Sequence, residues 1–198
     1  LPDNLSDKQI GSIVEFTVTP KEGKGILEVT HNYNSLSPSA SDTDGTGHYS
    51  FTVTEKNNII VAMTPDKVGN AYEITNTAQL YWFAEQVNNG NTDINAVLTA
   101  DIVVNEHVLD ADGNLNGESA GFRVWTPIGL DEDGKKYEGT FDGQGHTISG
   151  LYINDEKKSV VGLFRATGTN SVIKNVGIID SYFRAYQHVA GICGSNGG

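Results

Sequence analysis

A single cysteine, Cys193, stands in the 198 residues, so no disulfide can close within the chain. That scarcity does not fix a compartment, because exported bacterial proteins often lack disulfides too. Basic side chains are few: 13 Lys and Arg face 25 Asp and Glu, leaving a net charge of −12. Acidic residues outnumber basic ones on both sides of Asp66. No clustered cations are therefore left to bind nucleic acid or an anionic membrane surface. No apolar run approaches the ~20 residues of a membrane span. The opening Leu1-Pro-Asp-Asn-Leu5 has no signal-peptide character. Export thus implies a signal upstream of Leu1. The five histidines (His31, His48, His107, His146, His188) are scattered, none with a partner at i+4, and His-Glu-x-x-His is absent. No cofactor is expected.

Glycine is abundant, at 23 residues. With many Asn and Asp, which also tolerate the positive φ of tight turns, this favours short strands over helices. In residues 10–64, Val14, Phe16 and Val18 alternate with polar neighbours, as do Leu27 and Val29, then Tyr49, Phe51 and Val53. A fourth, apolar run covers 59–63. Period-two alternation predicts strands with one buried and one wet face. Residues 1–66 are accordingly expected to form a small antiparallel β-sandwich-like module.

One helix is expected, over 77–89. Leu80, Phe83, Ala84 and Val87 recur at helical spacing, Asn76 is placed to cap the N-terminus with Gln79 three residues on, and Gly90 to stop the helix. Strand-like runs follow at 96–104 and 122–129. The chain then repeats itself. Residues 148–153 recur 25 positions later as 173–178, and Val161-Gly-Leu-Phe164 recurs 29 positions later as Ala190-Gly-Ile-Cys193. A period of this size with glycines at set places signals stacked coils. The fold class expected is all-β with one helix: the antiparallel module, then over 67–198 a right-handed parallel β-helix capped by the α-helix. The pattern runs to the last residue, which predicts a C-terminally truncated β-helix whose open edge can self-associate.

Two resemblances sharpen this. Gly11-Ser-Ile-Val-Glu-Phe-Thr-Val-Thr-Pro20, Gly23, Tyr49-Ser-Phe-Thr52 and Ile59-Ile-Val-Ala-Met63 resemble the surface modules related to the internalin B-repeat. Tyr72-Glu-Ile-Thr-Asn-Thr-Ala-Gln-Leu80, Leu98-Thr-Ala-Asp-Ile102, Trp125-Thr-Pro-Ile-Gly129, Gly139-Thr-Phe-Asp-Gly-Gln-Gly-His-Thr-Ile148, Gly162-Leu-Phe164 and Ala190-Gly-Ile192 resemble the GLUG-type region of bacterial surface proteins. The second resemblance implies an exported bacterial β-helix protein, secreted or held at the cell surface. Such regions also precede IgA-specific zinc metallopeptidases, whose zinc motif is missing here.

Candidate functional residues are sparse. Phe141-Asp-Gly-Gln-Gly-His146 places an acid near a histidine, as in pectin-degrading β-helices. The simpler reading is a turn with Asp142 capping backbone N–H groups. Asp112, Asn114, Asn116 and Gly117 follow the start of a calcium loop, but Arg123 stands where the bidentate Glu belongs. A hairpin loop is the better expectation there, and an acidic turn at 131–134. Arg165 and Arg184 are candidates to line an outer groove for a ligand, against the simpler reading of surface ion pairs. Trp82 is a candidate sugar platform, less committed to the core than Trp125. Cys193 is expected to be an inert thiol. The expected function is a non-catalytic surface module, an adhesin part or rigid spacer, with a glycan or protein of a host or neighbouring cell as partner. The alternative is an accessory domain of a surface protease or a polysaccharide-degrading β-helix enzyme.

Overall fold

The computed structural model describes residues 8–32, 34–117, 121–131 and 135–197. These residues are mostly β with a single helix. They divide into two compact units, Leu1–Thr64 and Pro65–Gly198.

In the first unit, β1 (Ile13–Val18), β2 (Ile26–His31), β3 (Asn34–Ser35), β4 (Ala40–Ser41), β5 (Gly47–Thr52) and β6 (Ile59–Met63) form two three-stranded sheets, β1-β5-β4 and β3-β2-β6. Every pairing is antiparallel. Strict alternation along β1 buries Val14, Phe16 and Val18 against Tyr49, Phe51 and Val53. The alternation expected for Leu27 fails for a physical reason. Ile26 pairs with Met63 and Glu28 with Ala62, so Leu27 is the extra residue of a β-bulge. The bulge reverses the faces, and Ile26 joins Val29 at the core in place of Leu27.

The second unit opens with β7 (Lys67–Val68) and β8 (Ala71–Ile74), an antiparallel pair. The helix α1 (Thr77–Asn88) follows, then β9 (Asn95–Leu98), which lies parallel to β8. The helix is thus the crossover between two neighbouring parallel strands. Asn76 accepts the Gln79 backbone N–H at 3.1 Å, and the Gln79 side chain reaches back to the Thr75 N–H. At the other end, Gly90 takes φ +110°, the Gly90 N–H bonds Val87 O and the Asn91 N–H bonds Gln86 O, the 5→2 and 6→1 pattern that ends a helix at glycine. Leu80, Phe83, Ala84 and Val87 are fully buried in the interior. Each large one contributes ~1.5–3 kcal/mol of burial.

Two tiers of five short strands come next. The first comprises β11 (Thr140–Asp142), β12 (Thr147–Ser149), β13 (Tyr152–Asn154), β14 (Val160–Val161) and β15 (Phe164–Thr167), after β10 (Ile102–Val103). The last comprises β16 (Val172–Lys174), β17 (Gly177–Ile179), β18 (Tyr182–Arg184), β19 (His188–Val189) and β20 (Cys193–Asn196). Each strand of one tier runs parallel to its counterpart in the next. The interior consists of columns through the tiers: Ala96, Phe141 and Ile173; Ile102, Ile148 and Ile178; Ile153 and Phe183; Phe164 and Cys193.

Register corrects the repeat. Val161-Gly-Leu-Phe164 meets its predicted copy at Phe164, which pairs with Cys193, but Val161 pairs with Val189, one position before Ala190. The 25-residue copy does not hold. Ile148 pairs with Ile178, thirty positions on, and Ile173 belongs beside Phe141. The 25-residue match lays β12 on β16, a whole strand out of register, and the corner after β11 is two residues longer than the corner after β16. Residues 96–104 are not one strand either; β9 and β10 are separated by a bend around Asp101. Residues 122–129 form no continuous strand. They pair in pieces: Trp125 N–H to Tyr152 O, Ile128 N–H to Leu163 O and Arg165 N–H to Ile128 O. Pro127 has no N–H to give.

Candidate functional site

The turn at 142–146 is a backbone device. The Asp142 carboxylate accepts the Gln144 N–H at 2.9 Å and the Asn175 amide at 3.0 Å, and lies 3.2 Å from the Lys174 ammonium. The Gln144 N–H, then the Asn175 amide and Lys174, hold its carboxyl below the usual range. A Cβ at Gly143 would collide with the backbone of Asn175 and Val176, so glycine lets the tiers close up. His146 lies 3.4 Å from Asp101, whose carboxylate also accepts the Thr147 N–H. Among the described residues no three His, Cys, Asp or Glu converge to hold a metal.

The loop with Asp112, Asn114 and Asn116 is closed by Asp110. Its Oδ1 accepts the N–H groups of Asp112 and Asn114 at 3.0 and 2.8 Å, and Leu109 bridges Leu115 in antiparallel sense. Asn116 donates its N–H to Val108 O. This is a hairpin tip. At the base of the hairpin, the Val108 and Leu109 N–H groups donate to the Asp180 carboxylate, fastening the excursion to the last tier. Arg123, at the position of the missing calcium ligand, lies 3.8 Å over the Tyr81 ring. Of the acidic turn 131–134, only Asp131 falls within the described residues, 3.8 Å from Lys136.

Trp82 is half-buried and meets Tyr72 edge to face at 4.9 Å, with Lys67 over the other ring. Trp125 is fully buried, its indole N–H shared between Gly162 O and Leu163 O. Arg165 and Arg184 stand on different ladders, β15–β20 and β13–β18. The Arg165 Nε is buried with no hydrogen-bond partner. Cys193 is half-buried, its Sγ 3.2 Å from Ser195 O.

Arg184 has the more informative surroundings. Phe183 packs into the interior, so Tyr182 and Arg184 of β18 turn outward, and the exposed Tyr186 follows in the bend just beyond the strand. Tyr182 stacks on Tyr152 of the preceding tier at 6.2 Å, and Phe122 meets Tyr152 at 5.4 Å. Arg184 pairs with Glu156 and lies in register with Asn154. Tyr186 is 70% exposed. Sequence reading found Arg184 but not the tyrosines on either side. The i, i+2, i+4 spacing of Tyr182, Arg184 and Tyr186 is the signal that could have found them.

No protein-family profile matches the chain, and no solved structure matches it. Over 145 residues, 69% of this chain, it is 30% identical to halomucin of Haloquadratum walsbyi. Over 58 residues, 29% of this chain, it is 33% identical to a Gly-rich membrane protein of Evansella cellulosilytica. The chain spans 2% of the length of the first and 6% of the second, so it is similar to a short stretch of each.

Proposed function

We propose that the second unit is a segment of right-handed parallel β-helix, closed at its start by α1, and that the chain is a non-catalytic module of a secreted or cell-surface protein. The carrying observation is the register: five consecutive strands each pair in parallel with a counterpart 28–32 positions on. A stack of that kind makes a stiff rod with a long outer face, suited to presenting a surface rather than enclosing a reaction. The names of the two relatives, a mucin-like word and a membrane protein, support a place at the cell surface. The resemblance to GLUG-type regions belongs to the same reading. The acidic outside favours a glycan or protein as partner over nucleic acid.

The test is adhesion without turnover. Purified chain is offered mucin, matrix protein and intact cells, with released reducing ends and unsaturated products followed alongside. Retention with no product is expected. Release of sugar products, or no retention on any surface, would overturn the proposal.

A further inference from the structure

We propose that Tyr182, Arg184 and Tyr186 form a subsite for a neutral hexopyranose chain lying along the outer face of the last tier. This rests on the surface-module reading above and names its ligand class. Tyr182 and Arg184 are alternate positions of β18, ~6.5 Å apart, and Tyr186 extends the surface from the bend just beyond the strand. Tyrosine at both ends supplies rigid, flat contact area with little entropy to lose. Tyr186 holds its ring 70% in solvent, an exposure that an aromatic fixed for internal packing does not need.

Between the rings, Arg184 is held by Glu156, with Asn154 in register beside it. A guanidinium only donates and a carboxylate only accepts, whereas a sugar hydroxyl does both. Vicinal hydroxyls therefore suit a site that offers both kinds of partner side by side. Glu156 offsets the charge of Arg184. Asp155 and Glu156 share a turn with Lys157 and Lys158, and the chain carries −12 overall. An acidic polymer gains little from that balance.

The experiment titrates the full chain with cellohexaose, mannohexaose and chitohexaose, and with a galacturonate hexamer, by isothermal calorimetry. At least one neutral hexamer is expected to bind, more tightly than the galacturonate. Tyr186→Ala is expected to weaken it at least tenfold with an unchanged thermal midpoint, since the ring is solvent-exposed. Arg184→Lys keeps the charge but loses the fork, and is expected to weaken it three- to tenfold. Equal binding by Tyr186→Ala, tighter binding of galacturonate, or no hexamer bound would each overturn this site. Retention on mucin or cells in that last case would leave the surface-module reading standing, so the two failures are distinct.

Discussion

The two units bury their apolar residues by different rules. In the first, alternation within one strand decides the face, as Val14, Phe16 and Val18 show, and partner strands are antiparallel. In the second, strands of two to four residues are too short for alternation to decide anything. Burial there depends on columns through successive tiers, such as Ala96, Phe141 and Ile173. The first unit is stabilised strand by strand; the second is stabilised tier by tier. Damage at a middle tier should therefore spread, whereas damage in the first unit should stay local.

The largest expected effect tests this directly. Phe141 is fully buried beneath α1, 5.8 Å from Phe83, with a tier on either side. Phe141→Ala should cost the second unit about 4 kcal/mol. Ile173→Ala, in the same column but half-exposed on the last tier, should cost about 1–2 kcal/mol. Both tryptophans, Trp82 and Trp125, lie in the second unit, so denaturation followed by tryptophan fluorescence isolates it. Equal losses at the two positions would contradict the tier rule. Gly150→Ala comes next. Gly150 has φ +75°, and a Cβ there would collide with the backbone of Asn105. The strained φ and the clash together should cost about 3 kcal/mol. Gly23, in the first unit, has φ +73° but open space around it, so Gly23→Ala should cost only about 1 kcal/mol. The amide NMR signals of β1, followed through the same denaturation, read that loss.

How much the residues announced follows the same division. The first unit was legible because each long strand carries its own pattern; it misled at Leu27, where a bulge is invisible to periodicity, and the two-residue β3 and β4 are too short to show a pattern. The helix was legible down to Asn76 and Gly90, because caps are local chemistry. The tiers were legible as a tendency to repeat but not in register. Short apolar strands resemble one another, so a match can slip by a whole strand: Ile148 finds Ile178 rather than Ile173. The path of 105–137 was not legible, because its anchors are single long-range bonds, such as the Leu109 N–H to Asp180 and the Arg123 N–H to Asn105. The candidate site was half-legible. Arg184 drew attention by its charge, but Phe122, Tyr152 and Tyr182 are brought together only by the stacking of tiers.

A smaller effect concerns the crossover helix. Asn76→Ala removes the acceptor for the Gln79 N–H and should cost about 1 kcal/mol. The loss should register in the tryptophan signal and leave the β1 amide NMR signals of the first unit unchanged. An equal shift in both would mean that the units unfold together, and the comparison would then fail.

Acid offers the gentlest way to separate the units. Asp101, Asp142 and Asp44 are all held below the ordinary carboxylate value of 3.8, chiefly by backbone N–H groups of Thr147, Gln144 and Thr46 respectively. A carboxyl depressed in the folded chain contributes its full stability above 3.8 and loses it as the pH falls below that value. The partners differ in kind. Asp101 ties its bend to Thr147 of the next tier, and Asp142 bonds Asn175 of the last, whereas Asp44 closes a turn two residues long. Protonation thus loosens contacts between tiers in the second unit but only a local turn in the first. Between pH 7 and pH 3 the tryptophan-detected midpoint should fall further than the midpoint read from the β1 amide NMR signals, and Asp142→Asn should flatten the part of that fall lying below pH 4. A steeper fall in the β1 amide signals would place the acid-sensitive bonds in the first unit and reverse the assignment.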